Sequence, residues 1–161
     1  MRRTIVLLAL ALVVLGTATA QASSVHFKPK GQPEFEDLGL TLQATGVLAG
    51  LGNVDLVVSV TAVGQPIATC TNPSGANQPP GQNPAEVELG GSQEISADEI
   101  KNGSVKFAVT TGAPVTPIPG APDCPNRKWT ETIVDVVFSS ATITIEQPAG
   151  TVVLGPSTFV L

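Results

Sequence analysis

Tyrosine is absent from this chain of 161 residues, and tryptophan and histidine occur once each. Each gap excludes a chemistry. A serine hydrolase needs an imidazole base, and His26 is the single candidate; no Gly-x-Ser-x-Gly elbow accompanies it. Zinc needs a closed set of His, Cys or carboxylate ligands, and two cysteines without a Cys-x-x-Cys do not make one. Basic residues are few, with 8 Lys and Arg against 13 Asp and Glu. Such a balance repels phosphate backbones, so nucleic acid is not an expected partner. Charged residues make up only 13% of the chain, against about a quarter in ordinary globular proteins.

The carboxylates that remain have simple readings. A glycosidase requires two of them, and Glu86 and Glu88 form a pair, but an i, i+2 pair on a strand is a solvated face. Calcium takes oxygen ligands, and Asn53, Asp55, Asp98, Glu99 and Asp123 supply oxygens. No Asp-x-Asp-x-Asp-Gly loop occurs, so turn residues bonded to their own backbone account for them. The expectation is no enzyme, no metal and no cofactor.

What is present begins with the order of an export signal. Arg2 and Arg3 precede an unbroken apolar run, residues 5–15, and small residues follow. Cleavage is expected after Ala20 or Ala22. The run is short for a membrane span, which takes about 20 apolar residues; an uncleaved anchor is the alternative. No second long apolar run occurs, so no membrane association is expected after cleavage. The division is therefore a signal peptide, 1–22, and a single domain, 23–161. Removing Arg2 and Arg3 leaves six basic against thirteen acidic residues, a net charge of −7.

Beta-branched residues punctuated by 16 Gly and 14 Pro indicate an all-β chain. Period-two alternation places strands. Val54, Leu56, Val58, Val60 and Ala62 form one face, expected to be buried. Leu40, Leu42, Ala44, Gly46 and Leu48 form an earlier row, and residues 49–53 suit a hairpin between the two. Val105, Phe107 and Val109 make a third row. Val134, Val136 and Phe138 make a fourth, alternating with Ile133, Asp135 and Val137. Ala141, Ile143 and Ile145 make a fifth. Weaker candidates are 67–71, 86–89 and 92–95, with short strands at 151–154 and 157–161. Ser96-Ala97-Asp98-Glu99 matches a capping box, and Asn102-Gly103 supplies a left-handed stop. About eight short antiparallel strands in one domain predict an immunoglobulin-like β-sandwich, with a closed barrel as the competing architecture.

Two Pro-, Gly- and Asn-rich stretches interrupt this pattern, 72–84 and 112–127, and each has a cysteine at or beside it. In an exported chain an isolated pair is a disulfide, so Cys70 and Cys124 are expected to be bridged. Closing that span is worth about 4 kcal/mol in the chain-entropy account. It would tether both loops to one end of the fold. Candidate binding residues on them are Asn72, Asn77, Gln82, Asn83, Asp123, Asn126, Arg127 and Trp129. Trp129 reads first as a core residue beside the bridge and second as a platform for a sugar ring.

Gly50-Leu51-Gly52-Asn53, Thr69-Cys70-Thr71-Asn72-Pro73-Ser74-Gly75 and Pro79-Pro80-Gly81-Gln82-Asn83-Pro84, with Cys124-Pro125-Asn126 and Trp129-Thr130, resemble a group of secreted bacterial β-sandwich proteins. No activity is assigned to that group. The resemblance covers residues 46–147 and implies an exported bacterial protein. Members often carry further cysteines, absent here, so it implies no second bridge and no catalytic residue. The sequence reading is a secreted extracellular domain without catalysis, structural or interacting with an extracellular protein or glycan. The alternative is a small-molecule or glycan-binding module. Oligomeric state is left open.

Overall fold

Alternation over Leu56, Val58, Val60 and Ala62 builds one of the two long strands among the described residues, Leu56–Thr71. The computed structural model describes residues 24–79, 85–116 and 124–161. Nine strands are present among them: β1 (His26–Phe27), β2 (Glu34–Asp37), β3 (Leu42–Ala49), β4 (Leu56–Thr71), β5 (Asn77–Gln78), β6 (Val87–Ile95), β7 (Ser104–Thr110), β8 (Thr130–Glu146) and β9 (Val152–Val160). All pairings are antiparallel.

They form two sheets. In the first, β3 is central; β1 and β2 follow each other along one edge and β7 takes the other. In the second, β4 is central. Strands β6 and β5 share one of its edges, β8 runs along the other, and β9 lies outside β8. Treating each shared edge as one strand gives three strands facing four. That order is consistent with an immunoglobulin-like sandwich, with the strand after the central one placed on the second sheet rather than the first.

The core lies between the sheets. Ala44, Leu48, Phe107 and Val109 from the first meet Leu56, Val58, Val60, Ile143 and Ile145 from the second. A second cluster, Leu42, Ala62, Leu89, Ile133, Val136, Phe138 and Ala141, continues it along β4 and β8. Each buried Val, Leu, Ile or Phe among them contributes about 1.5–3 kcal/mol. Four of the five phenylalanines join the outer edges: Phe159 of β9 packs on Phe27 and Phe35, and Phe27 on Phe107. On the opposite side β6 approaches β7. A Cβ on Gly91 would sit 2.3 Å from the Thr110 carbonyl oxygen, so only glycine permits this approach. Gln93 Oε1 accepts the Ala108 N–H at 3.0 Å across the same gap.

Several expectations are corrected. Residues 49–53 do not make a hairpin; β3 and β4 lie in different sheets, so this segment crosses between layers. Buried Gln147 holds the crossing. Its Oε1 accepts the Gly52 N–H at 2.9 Å, and its Nε2 donates to the carbonyls of Gly52 and Val54. Val54 precedes β4 and is 47% exposed rather than in the core. The fourth and fifth rows belong to one strand, β8, with two extra residues in it. Ile67 faces Asp135 while Ala68 faces Ile133, and Val63 faces Ser140 while Gly64 faces Phe138. Val134 and Ser139 are therefore bulged, and each bulge shifts the alternation by one. Ile133 turns inward with Val136 and Phe138, and Val134 turns out.

Three short candidates merge as well. Residues 67–71 end β4, and 86–89 with 92–95 are one strand, β6. The segments 151–154 and 157–161 join as β9, where the pairing skips Gly155 and Pro156. The capping box at Ser96 starts a single 3-10 turn, Ala97–Glu99, with the Ser96 N–H donating to Glu99 Oε1. Asn102 and Gly103 both have positive φ and close the turn into β7.

Candidate functional site

The β4–β8 pairing extends past the rest of the sandwich. Strand β6 stops pairing at Gly64, opposite Val87, whereas β4 and β8 continue to Thr71 and Thr130. Seven residues of strand rise amount to about 23 Å. The first sheet ends near Val136, whose N–H donates to the Gly39 carbonyl in the β2–β3 turn. The end of the ribbon is closed by other means. Cys70, fully buried on β4, is bonded to Cys124 with their Cα atoms 5.6 Å apart.

Both loops depend on this geometry. After Thr71 the chain reverses on Asn72, whose Oδ1 accepts the N–H groups of Ser74 and Ala76. It then lays β5 back on β4, with Thr71 Oγ1 bonded to Asn77 Oδ1 at 2.7 Å. The first loop thus leaves from the ribbon end and returns at Glu86 beside β6. The second leaves beside β6, where the Gly112 N–H donates to the Gly90 carbonyl, and returns at Cys124 on the ribbon end. The described ends of the two loops therefore meet at two places, the ribbon end and the start of β6.

Two clefts mark those meeting points. One, about 510 Å³, lies between 86–90 and 112–115. Its charged groups are the exposed Glu86 and Glu88, over an apolar floor that includes Leu89. The other, about 450 Å³, is lined by Cys124, Pro125, Asn126, Arg127, Trp129 and Glu131. Both fall in the size range of small-ligand sites. The second carries more varied chemistry: an indole, a guanidinium and a carboxylate. Its rim is shaped by Asn126, whose Oδ1 accepts the Lys128 N–H while its backbone carbonyl accepts from Trp129.

Trp129 is half-buried in this cleft, not in the core. The reason is register. Thr130 faces the last residue of β4, so Trp129 lies beyond both core clusters. Among the expected loop residues, the side-chain oxygens of Asn72, Asn77 and Asn126 serve the turns themselves. Arg127 and Trp129 line the cleft. Gln82, Asn83 and Asp123 lie outside the described residues.

Sequence reasoning did not select Glu131. It stands opposite Cys70 in the ladder and so shares the disulfide's face. Its Oε1 is buried, with no hydrogen-bond partner among the described residues. Alternation alone misplaces it, because the bulge at Val134 changes phase between Glu131 and the rest of β8.

Other candidates are occupied locally. Asp55 Oδ1 accepts the Ala97 N–H, and His26 Nδ1 lies 2.7 Å from the Ser24 carbonyl. Among the described residues no group of three or more His, Cys, Asp or Glu side chains is placed to hold a metal ion. No family model matches the chain, and neither does any curated protein or solved structure.

Proposed function

We propose that this chain is a secreted, non-catalytic interaction domain that binds an extracellular partner through its disulfide-bonded end. The observation that carries the reading is the joint anchoring of the two loops. Cys70–Cys124 ties the start of the first to the end of the second at the ribbon end, and the Gly112 N–H meets the Gly90 carbonyl of β6 where the second leaves. A rigid scaffold holding long loops together is the usual basis of a binding surface. Proline in such loops lowers the entropy lost on binding.

Export is part of this proposal, and the bridge is its chemical support. Mass spectrometry of protein recovered from the culture medium should give a start at residue 21 or 23. Binding is tested by capture on the immobilised oxidised protein. Arg127→Glu should abolish capture of the partner, while Lys106→Glu, on the outer side of β7, should leave it unchanged. Equal capture by both variants would remove the binding end from the account.

A further inference from the structure

We infer that the start of β6 takes up an extended peptide with lysine or arginine at alternate positions, added antiparallel as a further strand along its free edge. The site is separate from the disulfide-bonded end and goes beyond the reading given above.

The ladder is the starting point. Strand β6 pairs with β4 from Val87 to Ile95 without a break in register. On its other edge the Gly90 carbonyl accepts the Gly112 N–H, so Gly90 turns its backbone groups away from β4. In an antiparallel pair the N–H and C=O of one residue point to the same side, and the side alternates along the strand. Those of Glu88 therefore point to the same outer edge as Gly90. From Gly90 back to the start of β6, that edge makes no other backbone hydrogen bond among the described residues. Pro114, in the facing segment, has no N–H to give. A cleft of about 510 Å³ lies between these two walls, and an unpaired edge is a template for another strand. Further along, the edge is closed: Gly91 lies against the Thr110 carbonyl, and Gln93 accepts the Ala108 N–H.

Charge then selects the peptide. Leu89 is buried, so Glu88 stands on the opposite, outer face of the strand, and it is exposed. Glu86, two residues earlier, is exposed as well. Opposite charges across neighbouring strands stabilise and like charges destabilise. An added strand sets every second side chain beside these carboxylates, so those positions call for lysine or arginine. The chain's net charge of −5 attracts such a peptide. Val115, 80% exposed, lines the same cleft and offers apolar surface to the intervening residues.

Other occupants fit less of this. A polyamine would satisfy the carboxylates but leave the Glu88 N–H and C=O unpaired. A metal ion lacks ligands, because among the described residues no group of three or more His, Cys, Asp or Glu is placed to hold one. A second copy pairing β6 with β6 would bring the same carboxylates together, and they repel.

The test is calorimetric titration of the oxidised protein with a capped peptide of alternating lysine and valine. Controls are an isomer with its lysines grouped at one end, a peptide of alternating glutamate and valine, and spermidine. The alternating peptide should bind saturably and the controls should not. N-methylation of its lysine amides, which face β6 in antiparallel addition, should abolish binding, whereas N-methylation of its valine amides should be tolerated. Glu86→Lys/Glu88→Lys should weaken binding about tenfold or more. Glu94→Lys, further along β6, should leave it unchanged, with circular dichroism checking each fold. Absence of binding overturns the inference. So does equal binding of spermidine or the grouped isomer, or binding that survives methylation of the lysine amides or the double variant. A dimer of the protein that the peptide dissociates would assign the edge to a second copy and also overturn it. Arg127→Glu should not alter peptide binding; a loss there would place the site at the disulfide-bonded end and overturn this one. Capture that depends on Arg127 does not require the peptide to bind, so the two readings fail separately.

Discussion

Glu131 stands directly opposite Cys70 in the β4–β8 ladder, on the face that carries the disulfide. Lower on the same strands that face is apolar and covered by the first sheet, as at Val60 and Ile143. At the ribbon end the covering sheet is gone, and the bridge, Trp129 and Glu131 take the place of core. The proposed binding end is where the inner surface of one sheet outruns the other.

The bridge should stabilise this end more than the sandwich. Both core clusters consist of residues other than Cys70 and Cys124. Cys70→Ser/Cys124→Ser should lower unfolding stability by up to about 4 kcal/mol in urea titrations. It should leave the far-ultraviolet spectrum that of a β protein. In the oxidised protein, thiol reagents should find no reactive cysteine, since none is free.

Trp129→Ala should cost little, about 1 kcal/mol or less, because the indole is outside the core. A core tryptophan would cost about 3–5 kcal/mol. Denaturant midpoints compared with Phe159→Ala give the contrast. Phe159 joins β9 to Phe27 and Phe35, and its loss should cost about 2–3 kcal/mol.

Neighbouring glycines should differ sharply. Gly91→Ala drives a methyl group into the Thr110 carbonyl, whereas a Cβ on Gly90 meets nothing within 4 Å. The first should destabilise by about 2 kcal/mol or more. The second should fall within about 0.5 kcal/mol of the parent. Thermal melts of the two single variants decide it.

Gln147→Leu should destabilise by about 2–3 kcal/mol, because it strands the Gly52 N–H and two carbonyls in the crossing segment. Amide exchange should speed up at Gly52 first. An effect confined to the distant ribbon end would contradict this assignment.

The inner rows of β3, β4 and β7 were legible because alternation is a local signal, and Leu42, Val58 and Val109 are buried as their phase requires. The lengths of β4 and β8 were less so. Gly64, Pro66 and the bulges at Val134 and Ser139 look like interruptions in one dimension, yet the partner strand absorbs them. The hairpin reading of 49–53 failed because turn residues reveal a reversal of direction but not a change of sheet. Gln147, which fixes that change, lies 95 residues from Gly52. The bridge between Cys70 and Cys124 was legible from the cysteine pair, but Glu131 joins that end only through register with Cys70.

Trp129 is the only tryptophan, so a titration followed by nuclear magnetic resonance reads the cleft through a single indole N–H signal. On titration with the captured extracellular partner, that signal and the Glu131 backbone amide should shift saturably together, while the Lys106 amide stays fixed. An unmoved indole signal at saturating partner, or shifts centred on another face, would contradict the assignment of the disulfide-bonded end as the binding surface.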